Sequence, residues 1–313
     1  MSGGKKLLFT FVLAAAAFVY QYVRSPSFRR QCGSVFAEWR GNGGGHTPSP
    51  LRGTPPVSGG EFAQGGRDGA RPSRISGEEL QGGGKWDNLD LGVPGKCDQV
   101  IEREGYALGY VEAWEQPAWV SYRLTKDEVL TRKANRESAF LEDPEVRTGS
   151  AISFDYQGSG YDRGHLAPAG DMHWSAKTML ESFYMSNMSP QEPSFNRGIW
   201  SKLEKAVRRF AYSEGSVVVV TGPIVTADDT KTIGHNKVRV PGFYYKVVYD
   251  ETPPEKMIAF ILPNKGSNKP VESFVVTVDD VEEATGLDFF SALPKETQDR
   301  LESKSNPKDW KWK

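Results

Sequence analysis

The chain has 313 residues, of which 38% are hydrophobic and 12% aromatic, so it is long enough to bury a core in one large domain or two small ones. This composition excludes collagen-like, coiled-coil and wholly disordered proteins. The 39 Lys and Arg residues nearly balance the 40 Asp and Glu residues, but residues 1–84 hold ten basic and five acidic side chains, whereas residues 85–313 hold 29 and 35. A polyanionic partner of the folded part would therefore have to bind a local basic patch.

Cysteine content limits the kinds of site that the chain can carry. Cys32 and Cys97 are the only cysteines, which excludes a disulfide-built scaffold and any zinc or iron–sulfur site held by four thiolates.

The first 24 residues have the pattern of an export segment. Lys5 and Lys6 precede seventeen uncharged, mostly apolar residues at 7–23, a length at the short end of what spans a bilayer. A cleaved signal peptide and an uncleaved membrane anchor both remain open, and we expect an exported protein that is either membrane-anchored or periplasmic or secreted. Arginines accumulate up to residue 60 with Glu38 as the only acid, so a mitochondrial leader is the alternative.

A flexible linker is predicted for residues 25–84. Residues 33–84 contain fifteen of the 33 glycines and five of the twenty prolines, and they offer few large apolar side chains for burial. We expect one folded domain at 85–295. The charged residues 296–313 would form a tail, either as a short helix or as a frayed end.

Hydrophobic patterning predicts a mixed α+β domain with a central antiparallel sheet flanked by helices. Segments rich in aromatic and β-branched residues indicate strands at 106–110, 118–124, 216–221, 243–249 and 257–262, and the apolar run 216–221 is typical of a strand buried on both faces. Helical spacing occurs at 174–183 and 199–210. The second helix would carry Lys202, Lys205, Arg208 and Arg209 on its outer face.

The densest group of chemically active residues is Asp162-Arg163-Gly164-His165. If this segment is extended, Arg163 and His165 project from the same face because side chains alternate along a strand. A neutral imidazole can take a proton from water, and a guanidinium can hold an anionic substrate, so the pair suits phosphate chemistry. The alternative is a turn whose histidine is merely hydrogen-bonded.

Amide side chains follow at Asn187 and Asn196 and a carboxylate at Glu204, and of these Asn196 and Glu204 are the candidate metal-binding residues. Magnesium prefers oxygen ligands and keeps several waters, so an amide oxygen from Asn196 and a contact from Glu204 to a water of the ion's shell would suffice. Each residue also has a purely structural interpretation. Asn196 could cap the helix, Asn187 could lie in a turn, and Glu204 could pair with Arg208 at i+4.

These motifs, in this order and spacing, resemble the DNA/RNA non-specific endonucleases, particularly the endonuclease G-like branch. The segments that carry the resemblance are GSGYDRGHLAPAGD from residue 158, FYMSNMSPQ from residue 183, and the pattern N-x-x-x-W-x-x-L-E from Asn196 to Glu204. The resemblance runs from LGVPG at residue 91 to TGLDFF at residue 285, and it implies a ββα-metal active-site motif with its DRGH segment.

Residue roles follow from the resemblance, position by position. It implies His165 as the general base, Asn196 as the direct metal ligand, Glu204 as a holder of a metal water, and Arg163 as a phosphate contact. Asn187 would support the site and Asp162 would orient it. Arg136 resembles an upstream arginine that stabilises the phosphate, although Arg132 and Arg123 are close enough in sequence to compete for this role.

The implied function is a magnesium-dependent, sugar-non-specific endonuclease that hydrolyses phosphodiester bonds in DNA and RNA, with Mn²⁺ or another divalent ion able to substitute. The partners would be DNA and RNA through phosphate contacts, a membrane if the first segment is uncleaved, and a second copy in a homodimer. Two other classes compete with this interpretation: a catalytically silent nucleic-acid-binding domain on a membrane tether, and a structural surface domain. The intact Arg163, His165, Asn196 and Glu204 argue against the silent binding domain, which need not keep a base and a metal ligand, whereas a structural domain predicts no metal dependence.

Overall fold

The computed structural model describes residues 86–312, and the predicted export segment, linker and Cys32 lie outside this range. Eleven strands and five α-helices occur within it. In chain order they are β1 Gln99–Glu102, β2 Ala107–Val111, β3 Gln116–Thr125, α1 Lys126–Leu130, β4 Asp162–His165, α2 Ala176–Ser182, β5 Met188–Gln191, α3 Ser201–Glu214, β6 Ser216–Ile224, β7 Thr232–Ile233, β8 Val238–Arg239, β9 Phe243–Asp250, β10 Lys256–Pro263, β11 Val275–Val276, α4 Val278–Thr285 and α5 Lys295–Glu302.

A seven-stranded antiparallel sheet forms the centre of the molecule, with the strand order β1-β2-β3-β6-β9-β10-β11. The five strands predicted from the sequence are all present in it. The central strand β6 is buried on both faces, because Val217 and Val219 contribute to one core and Val218 and Val220 to the other. The predicted mixed α+β class with a central antiparallel sheet is confirmed.

Helices cover the two faces of the sheet. The apolar side of α3, with Leu203, Val207 and Phe210, packs into one core, and α4 and α5 contribute Val281 and Leu301 to the other. Of the described helices, none is both long and apolar enough to cross a membrane.

Residues 295–310 pack against the rest of the fold, in the segment for which the sequence predicts a charged tail with a short helix or a frayed end. The helix α5 covers Lys295–Glu302, and Trp310 is buried with its ring centroid 4.7 Å from that of Phe210 on α3. Trp312 also packs against the ring of Phe210. These two tryptophans supply the apolar surface that attaches an otherwise charged segment to α3.

The strands β4 and β5 form a separate two-stranded ribbon beside the main sheet. Side chains anchor this ribbon to the sheet: the hydroxyl of Tyr244 on β9 donates to the carbonyl oxygen of Pro190 at 3.0 Å, and it lies 2.6 Å from the hydroxyl of Ser189. The ribbon carries the DRGH segment, so the fold places that segment at a fixed position against the sheet.

Candidate active site

The DRGH segment is strand β4, and its pairing with β5 is antiparallel, with Gly164 opposite Ser189 and His165 opposite Met188. The glycine is required by a close approach, since a Cβ atom at Gly164 would lie 2.2 Å from Cδ of Gln191. The side chain of Gln191 therefore packs directly over the backbone between Arg163 and His165. The extended conformation expected for this segment is present, and the alternative of a turn is wrong.

His165 lies in an aromatic pocket and is only 8% exposed. Its ring centroid lies 4.8 Å from that of Phe183 in an edge-on arrangement and 5.7 Å from that of Phe140. Burial, reinforced by the positive charge of Arg136, lowers the pKa of His165 to about 3. The imidazole is therefore neutral at pH 7, and its Nε2 atom has no hydrogen-bond partner among residues 86–312. A neutral ring with a free nitrogen can accept a proton.

Two guanidinium groups lie on the rings that surround His165. The Arg163 guanidinium lies 4.5 Å from the Phe140 centroid and that of Arg136 lies 5.1 Å from the Phe183 centroid. Arg163 also donates from one terminal nitrogen to the hydroxyl of Ser153 at 2.9 Å. The predicted convergence of Arg163 and His165 on one side of the strand is confirmed, since both contact Phe140.

Of the three arginines that compete for the upstream role, Arg136 is the one whose charge acts on the site. It contacts the ring of Phe183 and influences both His165 and Glu204 electrostatically. Arg123 instead forms ion pairs with Asp87 and Glu251. The geometry therefore favours Arg136 over Arg123.

Asn187 is fully buried and uses its whole amide group for internal hydrogen bonds. Its Nδ2 atom donates to the carbonyl oxygens of Ala167 and Ser182, and its Oδ1 atom accepts from the amide of Ala167, all at 2.9 Å. These bonds tie the chain that follows His165 to the end of α2. Asn187 thus supports the position of the base and does not direct a free group toward a substrate.

Asn196 lies in a wide, π-helical turn at Phe195–Trp200 that leads into α3, and the turn contains Gly198 in a non-helical conformation. The amide nitrogen Nδ2 of Asn196 donates to Asp162 at 3.0 Å. Arg197 donates to both carboxylate oxygens of Asp162, at 2.8 and 2.6 Å. Although partial burial opposes them, these bonds keep the pKa of Asp162 below its usual value.

The amide of Asn196 is therefore oriented by its contact with Asp162. Because Nδ2 faces Asp162, the oxygen Oδ1 points elsewhere, and it makes no hydrogen bond within the described part of the chain. The wide turn replaces the simple helix start that would make Asn196 an N-cap residue, so that alternative is wrong. A free amide oxygen is the kind of ligand that Mg²⁺ accepts.

Glu204 lies in a group of charges beneath the same turn. The buried side chain of Lys246 on β9 has its Nζ atom 4.9 Å from the ring of Trp200 and no hydrogen-bond partner among the described residues. Burial raises the pKa of Glu204, whereas the positive charges of Lys246 and Arg208 oppose this shift. Burial likewise lowers the pKa of Lys246, and Glu204 opposes that change. A cation near Glu204 would further favour its ionised form.

The expected i+4 pairing between Glu204 and Arg208 is absent as an ion pair, because Arg208 bonds to the buried carboxylate of Asp171. Asp171 also accepts from the hydroxyl of Tyr122 at 2.9 Å. Arg208 is thus turned inward, in contrast to the solvent-exposed position that the helical pattern suggests. The geometry leaves Glu204 available for another partner.

The oxygen-rich donor set fits a magnesium ion. Asn196 offers an unpaired amide oxygen and Glu204 a carboxylate, and Arg136 acts electrostatically on both Glu204 and His165. Among residues 86–312, the group of three acidic, histidine or cysteine side chains close enough to share an ion is Asp279, Glu282 and Glu302, on α4 and α5, and it includes none of the candidate ligands near His165. With one amide oxygen and one carboxylate as its candidate ligands, the site near His165 matches an ion that keeps most of its waters.

Sequence reasoning missed Lys246 and Ser153. Lys246 is the single charged residue inside the apolar strand pattern FYYKVVY, and a lone charge in a buried strand is a signal that could have identified it. Ser153 accepts a hydrogen bond from Arg163, and it lies in a short helical turn that the sequence pattern does not indicate. The sequence therefore holds no comparable signal for Ser153.

Comparison with known proteins gives a consistent assignment. The model of the family described as DNA/RNA non-specific endonuclease matches residues 86–296. Nuclease C1 of Cunninghamella echinulata var. echinulata is 38% identical over 67% of this chain and 89% of its own length. The mitochondrial nuclease EXOG of Mus musculus is 35% identical over 66% of this chain, and the match spans 60% of the mouse protein's length.

A solved structure has the same fold. A chain of the crystal structure of the EndoG/EndoGI complex is 34% identical to this protein, with a TM-score of 0.62, and the match covers 67% of this chain and 92% of that chain. These similarities confirm the predicted family and the predicted enzyme class, a nuclease. The chain belongs to the DNA/RNA non-specific endonuclease family, within its endonuclease G-like branch.

Proposed function

We propose that the protein is a magnesium-dependent, sugar-non-specific endonuclease that hydrolyses phosphodiester bonds in DNA and RNA. The observation that carries this proposal is the buried, neutral imidazole of His165, which packs against Phe183 and Phe140, the two rings over which the guanidinium groups of Arg136 and Arg163 lie. A base that is neutral at physiological pH and adjacent to cations is suited to a reaction in which water attacks an anionic ester.

In this mechanism the unprotonated ring nitrogen of His165 accepts a proton from the attacking water. Arg163 and Arg136 bind the non-bridging oxygens of the phosphate and offset the negative charge that develops on them. Asn187 keeps the segment after His165 in place through its three hydrogen bonds. These contacts involve phosphate and carry no base information, which agrees with cleavage of many sequences.

Asn196 would hold the metal ion directly through Oδ1, and Glu204 would hold it through a water. When bound there, Mg²⁺ would supply positive charge to the phosphate and to the leaving 3′ oxygen. Asp162 contributes indirectly, because its hydrogen bond to Nδ2 fixes the orientation of the Asn196 amide. Mn²⁺ or another divalent ion of similar preference for oxygen would substitute.

Plasmid nicking and RNA degradation, each with and without Mg²⁺, test the proposal on the wild type and on His165→Ala. We expect magnesium-dependent cleavage of both substrates, and a rate loss of about 100-fold or more in the variant, as general-base catalysis typically contributes. Undiminished activity of His165→Ala would overturn the role of the base. Binding of nucleic acid without cleavage under any of several divalent ions would instead support the catalytically silent domain, for which we find no favouring observation.

We also propose a mitochondrial location, the alternative that the first 60 residues left open. Three relatives carry the word mitochondrial in their names: a mouse, a Schizosaccharomyces pombe and a human nuclease. The apolar segment and its arginines lie outside the described residues, so the proposal rests on the sequence and the relatives. Fractionation of cells that produce the full chain distinguishes this location from export, and light scattering of the purified protein tests the predicted homodimer.

A further inference from the structure

A cavity of about 480 Å³ lies beside the catalytic strand and shares Asp162 and Arg163 with the site described above. One wall is the short helical turn Ser153–Tyr156, and another is formed by Tyr161 and the first two residues of the DRGH segment, Asp162 and Arg163. A ligand in this cavity would therefore be adjacent to the arginine that we assign to the scissile phosphate.

Phe154 forms the rim of the cavity, and its ring is 71% exposed, the largest value among the exposed large hydrophobic side chains of the described residues. The backbone beneath it is held firmly. The buried carboxylate of Asp155 accepts from the amide of Ile152 at 2.9 Å and from the backbone and side chain of Asn236 at 3.1 and 2.9 Å. The hydrogen bonds of Asp155 therefore hold the backbone in a position that leaves the Phe154 ring in solvent. A partner that covered this ring would gain the free energy of burying its apolar surface.

The lining of the cavity is polar as well as aromatic. Tyr156, Gln157, Tyr161 and Arg163 all belong to it, and each carries a group that can donate a hydrogen bond, so an occupant rich in acceptor atoms suits it. Lys231 adds a positive charge next to the lining, because its Nζ atom lies 4.6 Å from the centroid of the Tyr161 ring.

An exposed aromatic face beside hydrogen-bond donors and positive charge is the combination with which proteins bind unstacked nucleotides. We propose that this cavity is a nucleobase subsite, in which Phe154 stacks on the base next to the scissile phosphate. The inference rests on the proposed nuclease function and adds a consequence to it. Since a base must leave its stack to enter, the protein should cleave single-stranded or locally opened nucleic acid faster than intact duplex.

Binding of short oligonucleotides to the full chain carrying His165→Ala tests the subsite without cleavage of the ligand. The two ligands are a hexamer of thymidylate and a hexamer with the same phosphates but no bases. We expect Phe154→Ala to weaken binding of the thymidylate about tenfold and to leave binding of the abasic hexamer unchanged, because stacking requires a base. Phe154→Trp should retain the base-dependent affinity.

Tyr212→Ala is the matched control, because Tyr212 is an exposed aromatic residue, at 49%, near the end of α3. It should bind both hexamers like its parent. Equal loss for the two ligands in Phe154→Ala, or no loss for either, overturns the nucleobase subsite. Cleavage assays with His165 intact separate the two proposals. If the wild type cleaves plasmid but Phe154→Ala shows no base-dependent loss of binding, only the subsite is contradicted. If the wild type never cleaves, the nuclease function is contradicted.

Discussion

At the scale of single residues, His165 shows how burial keeps an imidazole in its neutral form. Its ring contacts Phe140 and Phe183, and this apolar surrounding disfavours the charged imidazolium. Arg136 adds repulsion of the same sign. The unfolded chain binds a proton at this residue near pH 6.5 and the folded chain does not, so the contribution of His165 to stability falls as the pH drops from about 6.5 toward 3.

We predict that the His165 ring of the free protein stays neutral between pH 8 and pH 5, and that Arg136→Ala moves its titration to higher pH. The reason is that the substitution removes a positive charge that acts on the ring. NMR detection of the ring carbons across this pH range measures both effects. Arg132→Ala, which removes an exposed arginine four residues earlier, is the control and should leave the titration in place. A His165 that titrates near pH 6.5 in the wild type contradicts the prediction.

At the scale of secondary-structure elements, the connection between β4 and the turn before α3 holds the candidate metal ligand. Asp162 is the first residue of the catalytic strand, and it receives bonds from both Asn196 and Arg197 of the turn. The carboxylate thus couples the position of the base, three residues further along β4, to the orientation of the amide.

Asp162→Ala should raise the magnesium concentration needed for half-maximal cleavage by about tenfold or more, as loss of a group that orients a metal ligand commonly does. Arg197→Ala is the control, because it breaks the ion pair and leaves the bond between Asn196 and Asp162. We expect only a small change for it. Titration of cleavage rate with Mg²⁺ measures the effect, and an unchanged magnesium requirement in Asp162→Ala would falsify the orienting role.

Strands of the main sheet could be predicted from the sequence, whereas the geometry of the turn at Phe195–Trp200 could not. Runs such as residues 216–221 identify strands because burial on two faces demands continuous apolar residues. The wide turn depends on tertiary contacts instead. Phe195 stacks on Tyr244 with ring centroids 5.3 Å apart, and Trp200 packs against the same ring at a tilt, with centroids 5.7 Å apart. A helical pattern in the sequence cannot indicate where such contacts widen a turn.

The sequence predicts the site residues that belong to one local motif. It does not predict the residues that reach the site from distant parts of the chain. The positions of His165 and Arg163 follow from alternation along one strand. Lys246 and Asp171 reach Glu204 from separate elements, and their proximity depends on the register of the sheet and on the packing of α3. The inward turn of Arg208 was missed for the same reason, since its partner Asp171 lies 37 positions away.

At the scale of the whole molecule, the positive charges needed for nucleic acid binding are concentrated, although the folded part is acidic overall. Arg136 and Arg163 flank His165, and Arg208 acts on Glu204. Lys177 instead pairs with Glu104, and Arg209 donates to the carbonyl oxygen of Trp312. The basic patch is therefore smaller than the sequence allows.

The acidic residues at the opposite end of the chain predict a pH dependence of stability. Glu302 is 4% exposed, and burial together with the charges of Glu282 and Asp279 raises its pKa to about 7. The folded chain then holds a proton that the unfolded chain releases near pH 4.5, so stability falls as the pH rises from 4.5 through 7.

Glu302→Gln should reduce this loss and increase the free energy of unfolding at pH 8 by about 1 kcal/mol, because it removes a charge repelled by its neighbours. Urea unfolding at pH 5 and pH 8 measures the difference. Glu296→Gln, an exposed position on the same helix, should behave like the wild type. The prediction fails if both variants and the wild type lose equal stability between the two pH values.

The separation of the ribbon β4–β5 from the seven-stranded sheet has a consequence for how the molecule loses activity. Its backbone bonds form a ladder of their own, and the ribbon is joined to β9 through side chains such as Tyr244. Local fluctuations can therefore open the ribbon while the sheet stays closed, at a lower free energy than global unfolding. Amide hydrogens of the ribbon should exchange with solvent sooner than those of β6, and warming should inactivate the protein before it melts.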